Sequence, residues 1–494
     1  MHKPCALLKS QVSLSCCLLL GVAAACHAAE SKSVDRPNFL FICVDDLRPA
    51  LGCYGDPLAI TPNIDQLAKR SRIFNHAYAQ QAVCGPSRTS VLTGLMPDET
   101  EVWHNRNQFR QHRPNTITMP QMLASQGYHT MALGKVFSGN QRELDPLSWN
   151  RGEILREPHW NTYVTNHNQA AGKQAAFEMP DVSDADYPDG KLAALAIAKL
   201  NTLQNSGRPF FLAVGFFKPH LPFNAPKQYW DLHRDQDFHY SYKNSGSPDA
   251  PPIAYHSHRE LGGYRGIPSD EILADEMEAT LRRGYYACVS YVDAQVGKLL
   301  QALEQTGLDK STVVILWGDH GFSLGEGHRW CKGTNFELDT RVPLIIHIPE
   351  MAAPGKSTNA LVGLVDLYPT VVALANINPP SGLAGLPLTK VLRRPSARVQ
   401  QHVMSQFSRP WNSKSPETMG YSVRTPTHRY TKWVDLKDGT VLQEELYDYD
   451  NPDSIRHEHN YTIEYRNQIH SEEYQQARRA MSRRLTHELK ALHK

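Results

Sequence analysis

The chain has 494 residues, 41% hydrophobic and 21% charged, which excludes a disordered or fibrous protein and leaves room for one large α/β domain with an appendage. A net charge of +2 with no long Lys/Arg block excludes a nucleic-acid footprint. No repeat of fixed period is present, which excludes a solenoid.

In chain order, residues 1–28 read as a removable signal peptide. Lys3 and Lys9 precede the apolar run SLSCCLLLGVAAAC, and the small residues HAAE follow. That run is too short for an ordinary membrane helix, and no other stretch approaches spanning length. Cys26 after small residues keeps lipid anchoring open. Four of the nine cysteines fall in this leader. The other five, Cys43, Cys53, Cys84, Cys288 and Cys331, do not form the even, spaced framework of a disulfide scaffold. One or two bridges are possible, and at least one thiol stays unpaired or is chemically altered.

Short apolar runs then predict strands buried on both faces: NFLFICV (38–44), HTMALG (129–134), PFFLAVGF (209–216), TVVILWG (312–318) and VPLIIHI (342–348). Helical patterns alternate with them. MPQMLASQG ends at a glycine, and a long segment carries Val289, Val292, Val296, Leu299, Leu300 and Leu303 at helical spacing. The predicted fold is α/β: a large mixed, mostly parallel sheet sandwiched by helices over 35–394. Polar insertions at 140–190 and 225–270 read as binding walls or solvated loops. From 395 to 494 the runs HVMSQF, YSVRTPTHRYTKWV and QEELYDYD predict a smaller α+β domain on an antiparallel sheet, closed by a charged helix near 470–490.

Ligands of open α/β sheets sit beyond the carboxyl ends of the strands. Four predicted strands deliver titratable groups there: Asp45 and Asp46, Lys135, Lys218 and His220, and Asp319 and His320. Paired aspartates also suit a helix N-cap, but four such strand ends together argue for a site. Asp45, Asp46 and Asp319 repel one another unless a cation lies among them, and oxygen donors suit calcium or magnesium over zinc. His320 is either a ligand or the orienter of one. Arg88, Lys135, Lys218 and Lys332, with His220, are the cationic set of a site for a tetrahedral oxyanion, a sulfate or phosphate ester. His220, stiffened by Pro219 and Pro222, suits a general acid. Cys84, in VCGPSRTSVLTG, is a soft thiol beside a hard-ion site. An oxygen nucleophile made from it would remove the contradiction, although CGPSR alone equally reads as a helix start.

These residues resemble the sulfatase family. Its signature, Cys-x-Pro-Ser-Arg followed by Leu-Thr-Gly, stands here as Cys84, Pro86, Ser87, Arg88, Leu92, Thr93 and Gly94. VDDLRPALGCYG, TPNIDQLA, LGKVF, FFKPHLPF, WGDHGFSLGEG and VDLYPT match in order, and QQAVCGPSR, KPHLPF and His320 resemble the iduronate-2-sulfatase branch.

The resemblance implies a sulfuric ester hydrolase acting on glycosaminoglycan or marine polysaccharide fragments. Cys84 would be converted to formylglycine by a separate generating enzyme, and its hydrate would supply the attacking oxygen, with Asp319 as base. Calcium would be held by Asp45, Asp46, Asp319, His320 and the modified Cys84. Lys135 and Lys332 would grip the sulfate, Arg88 would steady the hydrate, and His220, with Lys218 beside it, would bind the ester and protonate the leaving oxygen. Ser138 departs from the branch, which has a histidine there; His104 and His328 are the candidate replacements. A phosphodiesterase or phosphonate hydrolase on the same scaffold, and a non-catalytic carbohydrate-binding relative, are the alternative readings. The expected location is periplasmic or secreted.

Overall fold

A computed structural model describes residues 36–492 apart from 139–144, 151–153, 156–159, 170–171, 241–246, 256–259, 269–271 and 412. The predicted signal peptide lies outside these residues, as do parts of both predicted insertions.

Asn38–Val44 shows why a sheet forms the centre. Every residue of NFLFICV is buried. Leu40, Ile42 and Val44 enter one core and Phe39, Phe41 and Cys43 the other, as the two-residue period of a strand requires. This strand pairs in parallel with Phe210–Phe216 on one side and Thr312–Gly318 on the other. Among the described residues the sheet has nine strands. From one edge the order is Arg341–Val342, Arg72–Tyr78, Leu344–His347, Thr312–Gly318, Asn38–Val44, Phe210–Phe216, His129–Gly134 and Ile154–Leu155; Ser357–Gly363 adds in parallel to Arg72–Tyr78.

The predicted 342–348 strand is split. Pro343 has no N–H to give a ladder, so Arg341–Val342 and Leu344–His347 are separate pieces. Both run antiparallel to their neighbours. The chain leaves Thr312–Gly318 at its carboxyl end and must run back along the sheet after the loop that follows.

Helices cover both faces. Pro188–Leu203 and the 31-residue Asp275–Gln305 pack on the Leu40 face. Met119–Ser125 and Leu367–Leu374 pack on the Phe41 face. The six predicted apolar positions of the long helix, Val289 to Leu303, are all buried but for the 7% exposed edge of Leu300. Each such side chain contributes about 1.5–3 kcal/mol when fully buried.

Val403–Arg409, Thr418–Arg424, His428–Asp435 and Val441–Asp448 form the predicted antiparallel sheet. Gln475–Leu492 closes over it with Met481 and Leu485 inward, against Met419, Tyr430 and Leu446. A buried ion network joins this sheet to the main one: Glu337 lies 3.2 Å from Arg424 and 2.6 Å from Arg429, and Arg429 lies 3.1 Å from Glu464. All five cysteines outside the leader are free thiols, so neither possible bridge forms. Among the described residues no helix is long and apolar enough to cross a membrane.

Candidate active site

The loops at the carboxyl ends of the central strands meet. Asp45 and Asp46 follow Asn38–Val44, Asp319 and His320 follow Thr312–Gly318, and Lys135 follows His129–Gly134. Cys84 is the first residue of helix Cys84–Thr93, all of which is buried. Its thiol therefore stands at the positive end of a helix. Asp45, Asp46, Asp319 and His320 have no solvent exposure, and Cys84 has 1%.

Asp46 adopts a left-handed backbone (φ 58°), a costly conformation that concentrates at functional sites. It lets the Asp46 N–H donate to Asp319 Oδ1 at 3.0 Å, and the His320 N–H donates to the same oxygen at 3.0 Å. Arg88 forks between two carboxylates, with Nε to Asp319 Oδ2 at 2.8 Å and Nη2 to Asp45 Oδ1 at 3.2 Å. Lys135 Nζ pairs with Asp45 Oδ2 and lies 3.5 Å from Cys84 Sγ. Lys332 Nζ lies 2.8 Å from Asp46 Oδ2 and 3.0 Å from Glu260. The sequence placed Asp45, Asp46, Cys84, Arg88, Lys135, Asp319, His320 and Lys332 in one site, and the structure brings all eight together.

These residues fit a bound cation. Ligand atoms of Asp45, Cys84, Asp319 and His320 lie within 4.8 Å of one another, and so do those of Asp45, Asp46 and His220. His320 Nδ1 is 2.9 Å from the Gly321 carbonyl. With Nδ1 donating there, a neutral imidazole turns its Nε2 lone pair toward Cys84 Sγ at 3.3 Å, Asp46 Oδ1 at 3.4 Å and Asp319 Oδ2 at 3.7 Å. A lone pair aimed at two carboxylates is repulsive unless a positive charge lies between them.

The protonation states follow from the contacts. Burial and then Asp45 push the Cys84 thiol well above its ordinary value, with Lys135 opposing. The unmodified side chain is a neutral thiol, neither a thiolate ligand nor a thiolate nucleophile. Burial also pushes the Asp45 carboxyl up, but Lys135, His220 and Arg88 together hold it well below the usual range. Burial disfavours the Lys332 ammonium, and Asp46 and Glu260 more than reverse that.

His220 lies at the open side. Its Nδ1 faces the Leu221 carbonyl at 2.5 Å, its Nε2 is 3.3 Å from Glu260 Oε1, and its ring meets the edge of Trp160 at 5.0 Å. Burial holds its pKa below the ordinary imidazole value. Lys218 does not point at the carboxylates. Its Nζ donates to the His220 carbonyl at 2.9 Å and to the Pro222 carbonyl at 2.5 Å. Its observed contacts brace the loop that carries His220.

Ser138 is buried, and no hydrogen bond links His104 or His328 to the carboxylate cluster among the described residues. His104 Nδ1 accepts the Arg106 N–H, and its ring packs on Trp411. Glu260 was not foreseen, because it lies in a polar insertion without periodicity. With Trp160, Lys173, Gln174 and Tyr264 it lines a cleft of about 460 Å³ beside His220.

A sulfatase profile matches residues 37–377. The chain belongs to the sulfatase family. A second profile, the N-sulphoglucosamine sulphohydrolase C-terminal region, matches residues 325–491. This sulfatase is 34% identical to human iduronate 2-sulfatase over 482 residues, covering 84% of its own chain and 88% of the relative. Its fold is similar to that of a 2-O GAG sulfatase (TM-score 0.71, 23% identity, 93% of each chain). A comparable fold is that of the phosphonate monoester hydrolase of Agrobacterium radiobacter (TM-score 0.72, 21% identity, 93% and 96% of the two chains). The enzyme is a hydrolase of sulfate esters.

Proposed function

We propose that this sulfatase removes an ester sulfate from a sulfated sugar, using a formylglycine made from Cys84 and a calcium ion. The observation that carries the reading is the placement of Cys84 Sγ 3.3 Å from His320 Nε2 and 3.5 Å from Lys135 Nζ, at the head of a buried helix. Conversion of Cys84 by a formylglycine-generating enzyme supplies an oxygen nucleophile at this point and removes the mismatch between a soft thiol and oxygen donors. Asp45, Asp46, Asp319 and His320 would hold the calcium, which supplies positive charge facing the sulfate oxygens.

The chain's own residues do the rest. Lys135 and Lys332 bind sulfate oxygens from two sides in a largely buried site, where charge interactions are strong. Asp319, its Oδ1 fixed by two backbone N–H groups, accepts the proton of the attacking group. Arg88 forks between Asp45 and Asp319 and holds the two carboxylates apart. His220, with Nδ1 committed to a carbonyl, presents Nε2 to the cleft and delivers a proton to the leaving sugar oxygen.

Charge supports a monoanionic ester. Asp45, Asp46, Asp319 and Glu260 carry one negative charge more than Arg88, Lys135 and Lys332 balance, and a divalent ion turns that deficit into one positive charge. A sulfate monoester carries a single negative charge. So does a phosphonate monoester, which keeps phosphonate hydrolysis as a second reading.

The relationship to iduronate 2-sulfatase makes 2-O-sulfated uronates of glycosaminoglycans the first substrates to try, with algal sulfated sugars beside them. Residues 1–28 would direct the enzyme to the periplasm or cell exterior. The test is sulfate release from defined oligosaccharides and phosphonate esters, together with the intact mass of the Cys84 peptide. An unmodified thiol in active enzyme, or equal turnover by Cys84→Ala, would overturn the assignment.

A further inference from the structure

Among the described residues, six of the seven buried arginines have partners. Arg48 meets Glu326 at 2.6 Å and Arg282 meets Glu278 at 2.8 Å. Arg88, Arg424 and Arg429 pair with carboxylates, and Arg72 donates to four backbone carbonyls. Arg329 differs. It is 5% exposed, and its Nε, Nη1 and Nη2 are all shielded from solvent without a hydrogen-bond partner among the described residues. Its guanidinium carbon sits 4.2 Å from the centre of the Phe336 ring. A guanidinium has five donors, no acceptor and no accessible neutral form. Left unpaired in a buried place it is strongly unfavourable, so this position calls for an oxyanion.

Its place in the fold says which one. Arg329 follows the turn Glu326–His328 and leads through Trp330–Cys331 directly to Lys332. Three residues of chain reach about 10 Å at most, so Arg329 is rooted beside the sulfate grip. The Phe336 ring beneath it also packs on Tyr255, with centroids 5.5 Å apart. Arg409 ties the two walls together, donating to the Gly333 carbonyl at 3.2 Å and to the Tyr255 carbonyl at 3.2 Å. Five residues past Tyr255, Glu260 contacts both Lys332 and His220.

We infer that Arg329 is a second anion-recognition residue, receiving a carboxylate or a further sulfate of the same sugar chain whose ester sulfate lies at Lys332. The inference rests on the sulfatase reading above. The flat fork, held on an aromatic face, is preorganised for two parallel hydrogen bonds to an oxyanion. Engagement requires the side chains over its nitrogens to part as substrate enters. The residue contributes binding and no chemistry, so it is a specificity determinant.

The test compares wild type with Arg329→Gln, matched by melting temperature, on three substrates. These are an aryl sulfate, a monosulfated disaccharide bearing a carboxylate, and a disulfated disaccharide without one. KM should rise about tenfold or more for at least one disaccharide, with kcat within about twofold and the aryl sulfate unchanged. The disaccharide that responds separates carboxylate from sulfate. Equal KM values for both proteins on all three substrates would mean that water alone satisfies the guanidinium, and would overturn the inference. If Arg329→Gln melts early, Arg329→Lys, which keeps the charge but lacks the fork, should show a smaller loss of the same kind. Calorimetric binding of the disaccharides to Cys84→Ala, with and without Arg329→Gln, reads the same effect without turnover. A weakened affinity there in an enzyme that hydrolyses no sulfate ester would keep this inference and reject the sulfatase reading.

Discussion

Replacing Arg88 by Met tests whether the site is held together by its ions. Arg88 and its two carboxylates have no exposed side-chain surface, with contacts of 2.8 Å to Asp319 and 3.2 Å to Asp45. Methionine keeps much of the stem and removes the charge. Breaking one partner from a buried ion pair costs about 3–5 kcal/mol. Asp45 keeps Lys135 and Asp319 keeps two backbone N–H donors, so the low end, about 3 kcal/mol or roughly a hundredfold in the folding equilibrium, is expected. The pH dependence has a definite sign. Asp45 is held below the usual carboxylate range despite burial, by Lys135, His220 and Arg88. Such a group contributes stability above its unfolded pKa, near ~3.9, that is lost as pH falls through its lower native value. Arg88→Met raises the native value. Its deficit should therefore be full at pH 7 and narrow towards about pH 4 as Asp45 takes up a proton in the variant. Urea unfolding at both pH values, followed by tryptophan fluorescence at fixed calcium, measures it. Equal midpoints at pH 7, or a deficit that widens on acidification, would refute the reasoning.

Three further outcomes are expected. His220→Gln should lower kcat on sugar sulfates by about 10²–10⁴-fold and far less on an aryl sulfate, whose leaving group needs no proton. Because burial holds His220 below its ordinary pKa, its acid form is lost as pH rises through that lowered value; wild-type kcat on sugar sulfates should fall on this limb, and the limb should vanish in the variant. Lys218→Met, which orphans the His220 and Pro222 carbonyls, should lower melting temperature and kcat together; a fall in kcat with unchanged melting would restore a direct role for the ammonium. Chelation should lower both activity and melting temperature, and calcium at a hundred times its Kd should return about 2.7 kcal/mol of stability. A melting temperature indifferent to chelator and calcium would refute the ion's assigned role.

The central strands and their polar termini were legible because both faces of each strand are buried and the change from apolar to charged residue marks the sheet edge. Arg72–Tyr78 and Ser357–Gly363 were not foreseen, since RIFNHAY and STNALVG mix polar and apolar residues near a sheet margin. The return strand was found, but its split at Pro343 follows from a missing hydrogen-bond donor that an apolar count ignores. Seven of the predicted site residues that come together were legible from their position after strands or in the Cys84 run, and Lys332 from its place in the cationic set. Lys218 was grouped with the oxyanion-binding cations because it follows a predicted strand, and with His220 at the ester through the family resemblance. Spacing cannot reveal that an ammonium turns back to its own loop's carbonyls. Glu260 and Arg329 were invisible for a related reason, since their meaning depends on partners distant in the chain or, for Arg329, on having none among the described residues.

The Glu337 network carries a consequence for how the enzyme is made. The segment that bears Asp319 and Lys332 is clamped at its far end by Arg424 and Arg429, which are synthesised nearly a hundred residues later. A nascent chain that stops short of them leaves Glu337 buried without its counter-charges. Catalytic competence should therefore arrive only with the finished polypeptide, and fragments ending before the antiparallel sheet should be inert however well their parallel core folds.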